Sequence, residues 1–244
     1  YPALLRGVRR TKIDFLMSFE LERHYKNIHA NGLKLVKSGS YFIDKNIYNP
    51  EDLRRGITLL ARPDKKVSSQ IHTILQEITG IEPLQYAYPP DDFHITIMSI
   101  ISCYSGFHLD KINTQDYISV IRKSLSTIHN FRIHLKGISL NPSGILVNGY
   151  PKDDTLEILR NSLREHFKQT DLTQSLDKRY TIKTAHSTIL RFQNRLQYPD
   201  ELIEFIEKHR DTEFGTFHVK NIALVFNDWY QKTENTKLLK TFIL

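Results

Sequence analysis

Cysteine is all but missing from this chain: Cys103 is its single example. No internal disulfide and no Cys-rich zinc site can form, which predicts a reducing, cytoplasmic setting. Glycine (10 residues) and proline (9) are scarce in 244 residues, and that excludes collagen-like and low-complexity chains. No apolar run approaches the ~20 residues that span a bilayer, and no signal-peptide pattern opens the sequence, so no membrane association is expected. HExxH, Cys/His zinc spacings, G-x-S-x-G, GxGxxG and GxxxxGK[ST] are all absent. With them go the usual zinc hydrolases, serine hydrolases, dinucleotide folds and P-loops. Neither a metal nor a cofactor is expected.

Enough apolar sequence remains for a core. Apolar types make up 40% and charged types 25%, a globular balance that fits one large domain or two modest ones. The net charge of +7 points toward nucleic acid until its distribution is counted. Residues 1–40 hold Arg6, Arg9, Arg10, Lys12, Arg23, Lys26, Lys34 and Lys37 against Asp14, Glu20 and Glu22, so +5 of the +7 sits there. The remainder is nearly neutral, which favours a small or terminal substrate over a long polymer groove. The basic end reads as a solvated helix face, or else as a contact for phosphate or a partner.

Periodicity divides the chain into short helices and strands. Apolar spacing predicts an amphipathic helix over 11–30, ended at Asn31-Gly32. RGITLLARP reads as a strand, and DKKVSSQIHTILQEITG as a helix closed by Gly80. A Pro/Tyr-rich loop leads into the strand FHITIMSI. TQDYISVIRKSLSTI is a helix, and NFRIHLKGISLNPSGILVNGY a hairpin turning at Asn141-Pro142-Ser143-Gly144. TLEILRNSLREHFKQ and PDELIEFIEKHRD are helices flanking the strand RYTIKTAHSTILRF, while TFHVKNIALVFNDWY and KLLKTFIL close the chain as two strands. Strands interleaved with helices give an α+β or α/β fold.

Two segments share His-x-Thr followed by isoleucine: His94-Ile95-Thr96 and His186-Ser187-Thr188. With 11 His and 34 Ser plus Thr in 244 residues, one or two His-x-Ser/Thr matches arise by chance. The information lies in their context, strand-like text 92 residues apart in corresponding halves. Along a strand, residues i and i+2 share a face. His94 therefore points with Thr96, and His186 with Thr188, while Phe93, Ile95 and Ile97 turn to a core. Two imidazoles and two hydroxyls converging on one volume suit phosphodiester chemistry. One histidine takes a proton from the attacking oxygen and the other gives one to the departing oxygen, while the hydroxyls hold the non-bridging oxygens. An ordinary imidazole pKa of ~6.5 predicts a bell-shaped pH–rate profile with both limbs near neutrality.

These motifs, with RGITLLARPDKKVSSQIHTIL before them and FHVKNIALVF and KLLKTFIL after, resemble the 2H phosphoesterase superfamily. That superfamily includes the 2'-5' RNA ligase-like proteins and RNA 2',3'-cyclic phosphodiesterases. The resemblance spans residues 55–244 and implies a bilobal α+β fold, two pseudo-symmetric lobes with antiparallel sheets around a central cleft. It implies metal-independent cleavage of a 2',3'-cyclic phosphate or a 2'-5' linkage in a small nucleotide or RNA end. His94 would protonate the 2'-oxygen leaving group, and His186 would activate water. Ser187 stands where the family often has an apolar residue. Residues 1–50 lie outside the resemblance as a basic helical extension, leaving 51–244 as the phosphoesterase domain.

Secondary candidates for substrate binding are Tyr86, Tyr88 and Phe93, as base-stacking rings, and Lys183 and Arg191, as cations for phosphate. Arg195 and Trp229-Tyr230 are weaker versions of the same two roles. Cys103 reads as an inert buried thiol. Two rival functions stand beside the main one: hydrolysis of a signalling or cyclic oligonucleotide, and non-catalytic nucleotide binding with the N-terminal helix docking a partner.

Overall fold

A computed structural model describes residues 2–179 and 181–244, with side chains from Phe19 onward. The bases Arg6, Arg9, Arg10 and Lys12 therefore lie outside the described side chains. Helix α1 (Pro2–Lys37) passes straight through Asn31-Gly32, where a stop was expected, and ends at a left-handed Gly39. Strand β1 (Arg54–Ala61) and helix α2 (Lys65–Ile81) follow, with Asp64 capping α2 by accepting from the Val67 N–H. The short β2 (Tyr86–Ala87) leads through a 3-10 turn to β3 (Ile95–Ser105) and α3 (Thr114–Ser124). The hairpin β4 (Phe131–Asn141) and β5 (Gly144–Pro151) turns at the expected residues, and α4 (Thr155–Lys168) follows. The chain closes with β6 (Ser187–Arg191), α5 (Pro199–Lys208), β7 (Glu213–Val219), β8 (Asn221–Asp228) and β9 (Lys237–Ile243).

Two antiparallel sheets result, in the orders β3-β1-β8-β9 and β2-β6-β5-β4-β7. Helices α3 and α4 pair on the first sheet, whereas α1, α2 and α5 cover the second. The bilobal α+β arrangement implied by the resemblance is what the chain adopts. One expected strand, TFHVKNIALVF, is in fact two. Lys220 is the single residue between β7 in the second sheet and β8 in the first, so the chain changes lobes there. The expected strand RYTIKTAHSTILRF shortens to β6, because residues 181–186 have no regular ladder.

The segment ahead of β1 is woven into the second lobe. Tyr25, His29, Gly32 and Val36 form one stripe of α1 at helical spacing, with Tyr25, His29 and Val36 buried. A Cβ on Gly32 would sit 2.6 Å from the Leu140 carbonyl carbon, so only glycine permits this approach of helix to sheet. His29 accepts from the Leu140 N–H at Nδ1 (3.2 Å) and donates from Nε2 to Glu207 (2.9 Å). Beyond α1, Phe42 and Asp44 bond through their N–H groups to the carbonyls of Pro142 and Phe192. Among the described residues, no helix is long and apolar enough to cross a membrane.

Candidate active site

The cleft between the sheets is built from the ends of β3 and β6. His94 and His186 each stand one residue ahead of their strand, and Thr96 and Thr188 lie just inside it. All four line one cavity of about 190 Å³, together with Thr58, Ser99, Arg179, Arg191 and Trp229. The alternating neighbours Phe93, Ile95 and Ile97 are fully buried. The cavity opens into a wider groove of about 580 Å³ bordered by Phe42, Asp44, Arg54, Tyr104, Arg179 and Trp229.

Each imidazole is held at Nδ1. His94 donates from Nδ1 to the Asp92 carbonyl at 2.8 Å, which leaves Nε2 as its free nitrogen. Asp92 is itself fixed, its carboxylate accepting from the N–H (3.1 Å) and hydroxyl (2.5 Å) of Thr233. His186 Nδ1 lies 2.7 Å from the Thr184 hydroxyl. Burial lowers the pKa of His94 to about 4, with Arg62 and Arg191 adding to the effect and the Asp92 carbonyl opposing it. Burial lowers His186 to about 4 as well, and the charges of His94, Arg160 and Arg191 push the same way. Both rings are therefore neutral at pH 7.

A bulge follows each motif. The pairing of β3 with β1 slips between Leu59↔Met98 and Leu60↔Thr96, and that of β6 with β5 slips between Ile145↔Leu190 and Leu146↔Thr188. The extra residues are Ile97 and Ile189, so two successive side chains turn inward in each strand. Strand parity flips as a result, and the residue three past each threonine, Ser99 or Arg191, faces the cleft. The adjacent apolar pairs Ile97-Met98 and Ile189-Leu190 are the sequence signal of these bulges.

Not every expected substrate contact is at the cleft. Tyr86, Tyr88 and Phe93 are buried and line none of it, so they are not available for base stacking. They pack instead: Tyr86 and Tyr88 meet edge to face at 5.0 Å, and Phe93 belongs to the core. The Tyr88 hydroxyl accepts from Arg191 Nε at 2.8 Å and so steadies the guanidinium that does face the cleft. Lys183 lies three residues from His186 but lines a separate cavity of about 500 Å³ between α1 and α4. The aromatic rings that do border the groove are Trp229, Phe42 and Tyr104, with Arg54 and Arg179 against the Trp229 ring at 5.1 and 4.5 Å. Cys103 also borders it, but burial first and Asp228 second push its thiol up to about 12, far from a reactive thiolate.

Arg160 escaped sequence reasoning. Buried on α4, it donates from Nε to the Ile97 carbonyl (2.9 Å) and from Nη2 to those of Thr96 (2.9 Å) and Thr184 (2.8 Å). One side chain thus ties the backbone beside both motifs. Its signal was a charge inside the apolar stripe of Leu156, Leu159, Leu163 and Phe167. Among the described residues, no three His, Cys, Asp or Glu side chains gather as a metal site would need.

A sequence model described as the 2'-5' RNA ligase superfamily matches residues 63–228, more than half of the chain. No curated protein matches significantly. Among solved structures, Escherichia coli LigT complexed with 3'-AMP is similar with a TM-score of 0.51 and 14% identity, over 78% of this chain and 98% of that one. A conserved protein of unknown function from Agrobacterium tumefaciens gives 0.52 and 14%, over 85% and 97%. A protein described as a phosphoesterase gives 0.52 and 14%, over 78% and 98%. At such identities the likeness is one of fold.

Proposed function

The chain belongs to the 2'-5' RNA ligase superfamily, and from that membership and the cleft we propose that it is a metal-independent phosphoesterase that opens a 2',3'-cyclic phosphate or a 2'-5' phosphodiester in a small nucleotide or RNA end. The observation that carries this reading is the meeting of two neutral imidazoles and two threonine hydroxyls in one cavity, with Arg191 beside them.

The phosphate seats between the rings. The hydroxyls of Thr96 and Thr188 donate to its non-bridging oxygens, and Arg191 balances its charge. An anion at this place favours the protonated form of a neighbouring imidazole. His94 takes that proton, because the Asp92 carbonyl at Nδ1 stabilises its cation. His186 stays neutral, since burial and the charges of His94 and Arg160 all oppose its protonation. Water attacks phosphorus as His186 removes its proton, and the P–O2' bond breaks as His94 delivers a proton to the departing 2'-oxygen. A free 2'-hydroxyl results, with a 3'-phosphate from the cyclic substrate or a 5'-phosphate from the 2'-5' linkage. The nucleoside lies in the adjoining groove, where the exposed rings of Phe42 and Tyr104 offer faces for the base. The complex of LigT with 3'-AMP supports a nucleotide ligand for a protein of this fold.

The test is turnover of a 2',3'-cyclic mononucleotide and a 2'-5' dinucleotide in excess EDTA. Hydrolysis by the wild type that disappears in both His94→Ala and His186→Ala is expected. Nucleotide binding without turnover by the wild type would overturn the reading.

A further inference from the structure

The β5–β6 ladder ends at Val147↔Ser187. Beyond it Gly149 and Ala185 stay close together without a ladder bond. The side chain of Tyr25, from α1, bridges their backbone groups. Its hydroxyl accepts from the N–H of Gly149 (3.1 Å) and of Ala185 (3.2 Å) and donates to the Gly149 carbonyl (3.1 Å). The ring is 1% exposed, so water does not compete for these bonds.

Ala185 is the residue before His186, and its neighbour Thr184 is equally tied. The Thr184 carbonyl accepts from Arg160, and the Thr184 hydroxyl meets His186 Nδ1. Residues 184–186 have no regular secondary structure of their own. Their placement rests on two imported side chains, one from α4 and one from the N-terminal helix. The fit at Gly149 is close as well, since a Cβ there would lie 1.8 Å from the Ala185 carbonyl oxygen.

We propose that Tyr25 is a positioning residue for His186, which makes the N-terminal helix a working part of the cleft. The inference rests on the reading of His186 as the proton-accepting group. Loss of the hydroxyl frees the Ala185 backbone, lets the 184–186 segment shift, and moves the ring off the line to phosphorus. Displacements of this size, about 1 Å, lower turnover about a hundredfold.

The experiment compares Tyr25→Phe with His29→Gln. Both remove buried hydrogen bonds from the same face of α1, but those of His29 go to Leu140 and Glu207, away from the cleft. With a cyclic mononucleotide as substrate, Tyr25→Phe is expected to lower kcat about ten- to hundredfold with KM within about threefold, and His29→Gln to stay within about twofold of wild type. Equal losses in the two variants, or no loss in Tyr25→Phe, would overturn the proposal. Long-range 1H–15N spectra of the histidine rings at pH 7 provide a readout that needs no turnover. The His186 signals should shift in Tyr25→Phe and hold still in His29→Gln; unmoved signals in Tyr25→Phe would refute the positioning role. A wild type without turnover would refute the function while leaving this spectral test standing. If Tyr25→Phe fails to fold, Tyr25→3-fluorotyrosine keeps the side chain and weakens the hydroxyl as acceptor, and the same spectral comparison decides.

Discussion

Replacing both cleft histidines should make the protein more resistant to acid, and the size of the gain follows from their surroundings. In the unfolded chain an imidazole takes up its proton near pH 6.5; in the folded protein His94 and His186 do so only near pH 4. Between those values the unfolded state binds more protons than the native one, so stability falls as pH drops through 6.5 and the loss levels off below about 4. From pH 8 to pH 5 each ring costs about 2 kcal/mol, and the pair about 4 kcal/mol, since neither is charged in the fold at pH 5. Both rings are half-buried rather than sealed, and water at the cleft mouth trims this to about 2–4 kcal/mol. The assay is urea unfolding of wild type and of His94→Gln/His186→Gln at both pH values. The pH-dependent losses of all other groups, including the lowered His29 and His134, cancel in the double difference. The variant should lose about 2–4 kcal/mol less than wild type on acidification. A double difference under about 1 kcal/mol would refute the burial argument and with it the neutral state of the two rings.

Further expectations concern the same machinery. Arg160→Met leaves the carbonyls of Thr96, Ile97 and Thr184 without their donor and should cost about 3 kcal/mol in urea unfolding; a cost under about 1 kcal/mol would mean that the staple is not needed. Gly149→Ala forces a Cβ to within 1.8 Å of the Ala185 oxygen, and should destabilise by more than about 2 kcal/mol and suppress turnover. For activity, kcat/KM follows the free enzyme, so its optimum should fall on the acid side of neutrality, and the kcat profile should lie higher because bound phosphate holds the proton. A kcat/KM optimum at pH 7–8 would contradict the depressed imidazoles.

Periodicity read the helices well because they carry clean apolar stripes such as Val67, Ile71, Ile74, Leu75 and Ile78 on α2, whereas the two-lobed layout came from the family resemblance alone. Alternation also placed His94 with Thr96 on one face. Where it failed, local pattern was overruled by tertiary contacts. The run TFHVKNIALVF loses its alternation at the polar pair Lys220-Asn221, but nothing local says that the chain changes sheets there. Tyr86 and Tyr88 are polar-tipped rings in a loop near the motif, and their burial depends on β2 pairing with β6 some hundred residues away. Arg191 was singled out as a nearby cation, yet simple parity from Thr188 would have pointed it inward; the bulge at Ile189 turns it to the cleft. Tyr25 and Arg160 act on backbone atoms far along the chain, and a single sequence carries no trace of such partners beyond a misplaced charge or a large ring in a buried stripe.

A one-residue joint at Lys220 pins the two halves together at that point. Arg160 restrains them further, because it ties the Thr96 carbonyl of the first sheet to the Thr184 carbonyl beside the second. The width of the mouth is therefore set by the fold, and on the proposed reading the contour of that opening selects the ligand.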